Sequence, residues 1–161
     1  LLIHLGAAMI AAYVISFFAG TIEEMVALAV LMPIVATMGG TASVQTLTVA
    51  VRAIAMKELT MSNAYRTIGK EVAVGVLNGI LFAILIGAVA WAWFGSPALG
   101  GVIGLAIVIN LIVAGFTGSA LPILLQRMGY DPAVASSAFL TSITDVVGFY
   151  VFLGLAASLL L

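Results

Sequence analysis

The sequence contains no cysteine, and this absence excludes disulfide bonds, thiolate metal sites and thiol catalysis. Charge is scarce as well, because 5 Lys and Arg residues stand against 6 Asp and Glu residues, for a net charge of −1. A nearly neutral chain of this kind gives no sign of a nucleic-acid partner. No nucleophile and base occur at a plausible spacing, so the sequence predicts that the protein is not an enzyme.

Apolar residues take the place of the missing charges. They make up 65% of the 161 residues, and the mean hydropathy of +1.35 belongs to a chain that cannot cover a water-soluble globule. The sequence therefore predicts an all-α membrane protein that crosses the lipid bilayer five times, because each crossing takes roughly 20 apolar residues. The whole chain, 1–161, is predicted to form one transmembrane domain. The predicted helices cover about 1–19, 24–56, 68–94, 98–125 and 133–160.

The basic residues predict how these helices are oriented. All of them fall in the second or the fourth connection, which a five-helix path places on one side of the membrane. By the positive-inside rule this side is cytoplasmic, so we expect the amino terminus inside and the carboxyl terminus outside the inner (plasma) membrane. The short connections at 20–24 and 95–97 predict antiparallel neighbours. The basic residues are Arg52, Lys57, Arg66, Lys70 and Arg127.

The second predicted helix is unusually long. Its residues would cover roughly 50 Å, against a hydrocarbon core of about 30 Å. Pro33 removes a backbone donor and Gly39-Gly40 follows it, so a kink or local unwinding near the middle of the bilayer is predicted. Irregular backbone survives in lipid only when it is buried in protein or lines a wet cavity. This helix is therefore predicted to border a polar passage.

Two polar stripes mark the second and the fifth predicted helices. Their members recur every three or four residues, which places each stripe on one helical face. Together they predict two walls of one aqueous path, although hydroxyls that bond back to their own helix give the same pattern. The first stripe is Thr37, Thr41, Gln45 and Thr48, and the second is Ser137, Thr141, Asp145 and Gly148.

Asp145 is the strongest candidate for a functional residue. It lies near the middle of the last span, without a basic residue at its depth, where an aspartate costs about 2.5–3.5 kcal/mol. A bound proton, water in a cavity or a cation would each compensate, so a structural acid bonded across helices stays an alternative to an ion-facing carboxylate. The polar groups at this depth all bear oxygen, which favours a hard divalent cation. Asn78 and Asn110 are expected to bond across helices rather than to touch the ion.

A homodimer would resolve two difficulties with such a site. One negative charge is too little for a divalent cation, and five helices barely enclose a path. A two-fold axis would bring together two copies of Asp145. Small residues at intervals in the third and fourth predicted helices permit the close packing that a dimer would need. They are Gly75, Gly79, Ala83 and Gly87, followed by Gly101, Gly104, Gly115 and Gly118.

Two segments carry a family resemblance. LMPIVATMGGTASVQTLTVAVRAIAM (31–56) and LPILLQRMGYDPAVASSAFLTSITDVVGFYVFLGLA (121–156) closely resemble the membrane domain of the MgtE magnesium channels. The resemblance implies a homodimer with five helices per subunit, whose path follows the dimer axis between the second and fifth helices. It also implies that Asp145 is the central acid and that the backbone of Gly39 and Gly40 lines the path. Thr41 stands where the family usually has Asn, so we expect selectivity or affinity to differ.

Mg²⁺ is therefore expected as both the transported and the bound ion. Members of the family often carry cytosolic regulatory domains at the amino terminus, and none of these is present in this chain. Because the chain begins at Leu1 inside an apolar run, an upstream part is expected. The residues predicted to line the ion path are Asp145, Thr41, Gly39, Gly40, Ser137, Thr141 and Gln45.

Three functions remain open from the sequence. The first is a magnesium channel that carries the ion into the cytoplasm down its electrochemical gradient. The second is a carrier that exchanges a divalent cation for Na⁺ or H⁺, with Asp145 titrating during the cycle. The third is a non-conducting membrane subunit in which Asp145 bonds to a partner. The choice among Mg²⁺, Ca²⁺, Mn²⁺ and Co²⁺ and the gating do not follow from the residues.

Overall fold

The computed structural model of the protein describes residues 1–134 and 137–161. This part of the chain is all helical, as predicted, and it contains no strand. The positions Ala135 and Ser136 of the predicted fifth span lie outside the described residues. The described α-helices are α1 (Leu2–Ser16), α2 (Ala19–Glu24), α3 (Ala27–Ala55), α4 (Ala64–Phe94), α5 (Pro97–Arg127) and α6 (Ser137–Leu159), and a 3₁₀ turn at Pro132–Val134 precedes α6.

Four of the described helices, α3 to α6, are long and apolar enough to cross a membrane. The predicted first span is shorter than expected, because α1 has 15 residues and covers about 22 Å, less than the hydrocarbon core of about 30 Å. The described residues therefore indicate a multi-pass membrane protein with four spanning helices. The fifth crossing stays a prediction.

The loop predicted at 20–24 is wrong, since these residues belong to α2. The chain turns earlier, at Phe17 and Phe18, and the backbone of Phe18 has φ −107° and ψ 17°. A tertiary contact accounts for this position, because the ring of Phe18 packs edge-on against Tyr150 of α6 with 6.0 Å between centroids. Local sequence preference does not report such a contact.

The short connection predicted at 95–97 is confirmed. Gly95 ends α4 in the left-handed conformation, with φ 69°, which glycine adopts without a steric penalty. The hydroxyl oxygen of Ser96 then accepts a hydrogen bond from the amide of Leu99 at 3.2 Å, and Pro97 occupies the first turn of α5. This three-residue turn sets α4 and α5 antiparallel.

Of the kink or local unwinding predicted in α3, unwinding is not found, because the helix runs without interruption through Pro33 and both glycines, and the kink stays a prediction. Pro33 lies in the second turn of the helix. Gly39 and Gly40 are buried against neighbouring helices, which support the helical backbone there. The helix has 29 residues and covers about 43 Å, so the expected excess of length over the hydrocarbon core is confirmed.

The central element of the fold is α5, which packs against α3, α4 and α6. Its residues Ile103 and Ile107 are fully buried with Leu28 of α3 and Phe152 of α6. Burial of side chains of this size stabilises a water-soluble protein by about 1.5–3 kcal/mol each, but helices in lipid gain mainly from van der Waals packing. Close fit around α5 is therefore the main source of cohesion among the described helices.

The small residues of the third and fourth predicted helices make the α4–α5 contact. A Cβ on Gly75 would lie 2.6 Å from the carbonyl oxygen of Leu111, and one on Gly115 would lie 2.6 Å from the carbonyl oxygen of Glu71. Two predicted members differ. Gly118 packs instead against the backbone of Ser43 in α3, and Gly101 has no neighbour within 4 Å. Contacts within one chain thus account for every member of the stripe except Gly101, and the stripe lends no support to a dimer.

The basic connections lie together at one end of the helices. Lys57, after α3, and Arg127, at the end of α5, line the same cavity of about 510 Å³. This agrees with the predicted grouping of basic residues on one side. The direction of the helices relative to the cytoplasm stays a prediction.

Candidate functional site

The predicted path residues lie on α3 and α6, and these two helices pack against each other. They meet at Gly40, where a Cβ would lie 3.4 Å from Cγ2 of Thr141 and 3.9 Å from the hydroxyl oxygen of Thr144. The structure therefore brings Gly40 and Thr141, two predicted site residues from opposite ends of the chain, into contact.

The polar stripe of α3 faces away from the core. All four members, Thr37, Thr41, Gln45 and Thr48, are exposed in the single chain, whereas Gly39 between them is buried against α5. An α-helix turns by about 100° per residue, so Thr41 lies roughly opposite the face that meets α5. The predicted grouping on one face is confirmed, and this face of the chain is open.

The stripe of α6 holds three of its four predicted members. Ser137 is exposed, and Thr141 and Asp145 are half-buried, so these three can border a polar surface. Gly148 cannot, because it is buried beneath Asn110 of α5 and Val35 of α3. Its assignment to the polar stripe is wrong, since helical spacing alone did not indicate that α5 covers this turn.

Hydroxyl groups of the two stripes donate hydrogen bonds to backbone carbonyl oxygens of their own helices. Thr48 donates to the carbonyl oxygen of Val44 at 2.9 Å, and Thr141 donates to that of Ser137 at 2.8 Å. A hydroxyl oxygen that donates its proton in this way keeps lone pairs for a second partner. The local bonding is therefore compatible with contact to a cation or to its water shell.

Asp145 is the acidic residue of this surface. Within residues 1–134 and 137–161, no hydrogen bond or ion pair compensates its carboxylate. The same residues hold no group of three or more His, Cys, Asp or Glu side chains that could bind a metal. One chain therefore presents a lone carboxylate between hydroxyl groups, rather than a complete coordination shell.

Gly39 and Asn110 show a contact that the sequence analysis missed. Nδ2 of Asn110 donates to the carbonyl oxygen of Val35 at 3.0 Å, which confirms the expected bond across helices. The amide lies directly over Gly39, where an added Cβ would approach its Cγ to 2.8 Å. Gly39 and Gly148 indicate that another part of the chain comes close to these two positions. Helical periodicity does not identify which residue that is.

Asn78 behaves differently from Asn110. It is exposed and lines a cavity of about 450 Å³ between α3 and α4, together with Thr41, Gln45 and Glu71. The sequence predicts a bond across helices for Asn78 as well as for Asn110, but of these two amides only Asn110 makes one among the described residues. Gln45 and Thr41 thus border this cavity as well as the open face of α3.

A family comparison bears on this arrangement. Residues 32–155 match the model of the MgtE family, described as a divalent cation transporter, and these residues include every member of the predicted site. The chain belongs to the MgtE family.

Three MgtE relatives extend this result. The chain is 30% identical to the magnesium transporter MgtE of Bacillus subtilis over 98% of its length, 36% identical to that of Enterococcus faecalis over 97%, and 33% identical to that of Thermus thermophilus over 94%. It spans 34–35% of the length of these MgtE proteins. The similarity covers α1 to α6, and with them the open face of α3 and α6.

Proposed function

We propose that this chain is the membrane domain of a magnesium channel, in which two copies meet around the open face formed by α3 and α6. The observation that carries the proposal is the position of Asp145, a half-buried acid without a basic partner beside the contact between Gly40 and Thr141. Membership in a family of divalent cation transporters supports it, and so do the three relatives, each named a magnesium transporter.

The charge of Asp145 gives the proposal its mechanism. A lone carboxylate in the hydrocarbon core costs about 2.5–3.5 kcal/mol unless water, a proton or a cation compensates it. Two copies related by a two-fold axis would present two carboxylates to one passing ion and balance its charge. Mg²⁺ loses its water reluctantly, so a ring of oxygens that contacts the hydrated ion holds it without full dehydration. Ser137, Thr141 and Thr41 supply hydroxyl oxygens for this ring.

Transport into the cytoplasm then needs no chemical energy source. A divalent cation gains about 4.6 kcal/mol per 100 mV of inside-negative potential, twice the 2.3 kcal/mol of a single charge. We assign the basic end, with Lys57 and Arg127, to the cytoplasmic side on the positive-inside rule. Gln45 and the glycines 39 and 40 complete the proposed lining.

Substitution of Asp145 by Asn tests this function. We expect Mg²⁺ uptake by liposomes containing the purified chain to fall at least about tenfold, because a charge-assisted interaction of about 1.5–3 kcal/mol is lost. Asp131→Asn is the matched control, since Asn can also accept the hydrogen bond that Asp131 receives from the amide of Ala133. Equal Mg²⁺ flux in the wild-type chain and in Asp145→Asn would overturn the proposal.

A coupled carrier is the alternative, and the same liposomes separate it from a channel. A channel carries Mg²⁺ under an inside-negative potential alone, with equal Na⁺ and H⁺ concentrations on both sides. A carrier that exchanges ions requires an opposing Na⁺ or H⁺ gradient. Uptake that stops when both gradients are removed, at constant potential, would favour the carrier.

A further inference from the structure

The side chain of Asn110 lies at a junction of three helices, α3, α5 and α6. Only 1% of this residue is exposed. Its Nδ2 donates to the carbonyl oxygen of Val35, and its Oδ1 is a buried side-chain oxygen without a hydrogen-bond partner among the described residues. A polar group thus lies half-satisfied in the interior of the chain.

Two glycines make room for this amide. A Cβ on Gly39 of α3 would lie 2.8 Å from Cγ of Asn110, and a Cβ on Gly148 of α6 would lie 2.8 Å from its Nδ2. Both distances are below those that real Cβ atoms adopt, so any other residue at 39 or 148 would displace the amide of Asn110 or the helix that carries it. Asn110 therefore touches α3 and α6 at positions where neither has a side chain.

Stability alone does not explain this arrangement, because it carries two costs in free energy. Glycine inside a helix weakens it relative to alanine, and a buried oxygen without a partner carries a desolvation penalty. An apolar side chain at 110 would avoid the second cost. The junction is therefore better explained by the geometry that it imposes on its neighbours.

We propose that Asn110 is a positioning residue for the cation path, which sets the distance and register between α3 and α6. Gly39 precedes Gly40 and Thr41 directly, and Gly148 lies one turn beyond Asp145. The amide acts as a spacer inside the chain, behind the open face, so it holds Thr41 and Asp145 in place without contact with the ion. This inference rests on the proposed function.

The test is a cycle of substitutions at positions 39 and 110. Gly39→Ala adds a methyl group that collides with the amide, and Asn110→Ser removes the spacer. We expect each single substitution to lower Mg²⁺ flux about tenfold, because small displacements in a positioned site are costly. In the double variant the methyl group fills the space that the amide leaves, so flux should return to within about twofold of wild type.

The half-saturating Mg²⁺ concentration and the ratio of Mg²⁺ to Ca²⁺ flux give the second readout. Loss of folded protein would lower the maximal flux and leave both quantities unchanged. Displacement of Thr41 and Asp145 would shift both in each single variant and restore both in the double variant. Gly101→Ala is the matched control, because Gly101 has no neighbour within 4 Å.

Two results would overturn the inference while leaving the channel intact. The first is a double variant whose flux defect equals the product of the two single defects. The second is a pair of single variants with unchanged half-saturation and ion ratio. Asp145→Asn is measured in parallel, and if it conducts Mg²⁺ as the wild type does, the proposed function fails instead.

Discussion

At the scale of single residues, the sequence identifies a candidate functional acid more readily than a candidate functional amide. Asp145 is identifiable from the sequence because a carboxylate in an apolar membrane span is energetically costly, whatever residues surround it. The role of Asn110 is not, since an amide in a transmembrane helix is common and its partners lie on α3 and α6. Helical spacing indicates which side chains share a face, and it does not indicate which helix covers that face. Gly148 was misassigned for the same reason.

Thr41 provides a test at this scale. Thr41→Asn replaces a hydroxyl group by an amide on the open face, directly after Gly40 and its contact with α6. We expect the half-saturating Mg²⁺ concentration to fall about 2- to 10-fold, because one added hydrogen bond to the hydrated ion contributes about 0.5–1.5 kcal/mol. Flux measurements over a range of Mg²⁺ concentrations check this.

Thr48→Asn is the control for that substitution. Thr48 is exposed on the same helix, about two turns away, and its hydroxyl group bonds to its own backbone. A shift of equal size in both variants would show that the effect is not specific to the turn beside Gly40.

At the level of helices, much of the fold was predictable. Four of the predicted spans correspond to α3, α4, α5 and α6, because their apolar runs are long and turn residues separate them. The errors arise where tertiary contacts override local preference. Phe18 packs on Tyr150 and moves the first turn, and burial of the Gly39-Gly40 pair keeps α3 helical where flexibility was expected.

The α4–α5 contact supports a prediction about stability. A Cβ on Gly100 would lie 2.5 Å from the carbonyl oxygen of Gly87, so Gly100→Ala forces the helices apart. We expect the free energy of unfolding to fall by about 1–3 kcal/mol, the usual cost of overpacking. Gly101→Ala is a control at the adjacent residue, where nothing lies within 4 Å, and it should be neutral or stabilising by up to about 1 kcal/mol. Thermal unfolding in detergent, followed by circular dichroism, measures both, and equal destabilisation by the two substitutions would contradict this packing.

The whole molecule presents an open polar face that one chain leaves incomplete. Thr37, Thr41 and Gln45 are exposed on α3, and Asp145 is half-buried on α6, which packs against α3. Asp145 belongs to no group of three or more His, Cys, Asp or Glu side chains within the described residues, and most of the glycine stripe offered for a dimer makes contacts inside the chain. The case for a homodimer therefore rests on the charge of the divalent ion and on the open face.

Assemblies that carry two different affinity tags test the dimer. We expect co-produced chains with different tags to be purified together through both tags in succession. When one tagged chain carries Asp145→Asn, the mixed assembly should conduct Mg²⁺ about tenfold less than an assembly of two wild-type chains, because one ion loses one of its two carboxylates. Recovery of only singly tagged chains would count against a shared path. So would mixed assemblies that keep half of the wild-type flux, because independent subunits would give that result.

The central position of α5 governs how any variant of this protein should be interpreted. Because α5 is in contact with α3, α4 and α6 at once, truncation of its large buried apolar side chains loosens its packing against all three helices, and we expect less folded protein in the membrane. Abundance and thermal unfolding are therefore the proper measurements for most of α5. The outer face of α3 is the reverse case, since its side chains can be exchanged with little strain, and we expect a lost activity there to reflect the ion path or the contact between the two copies.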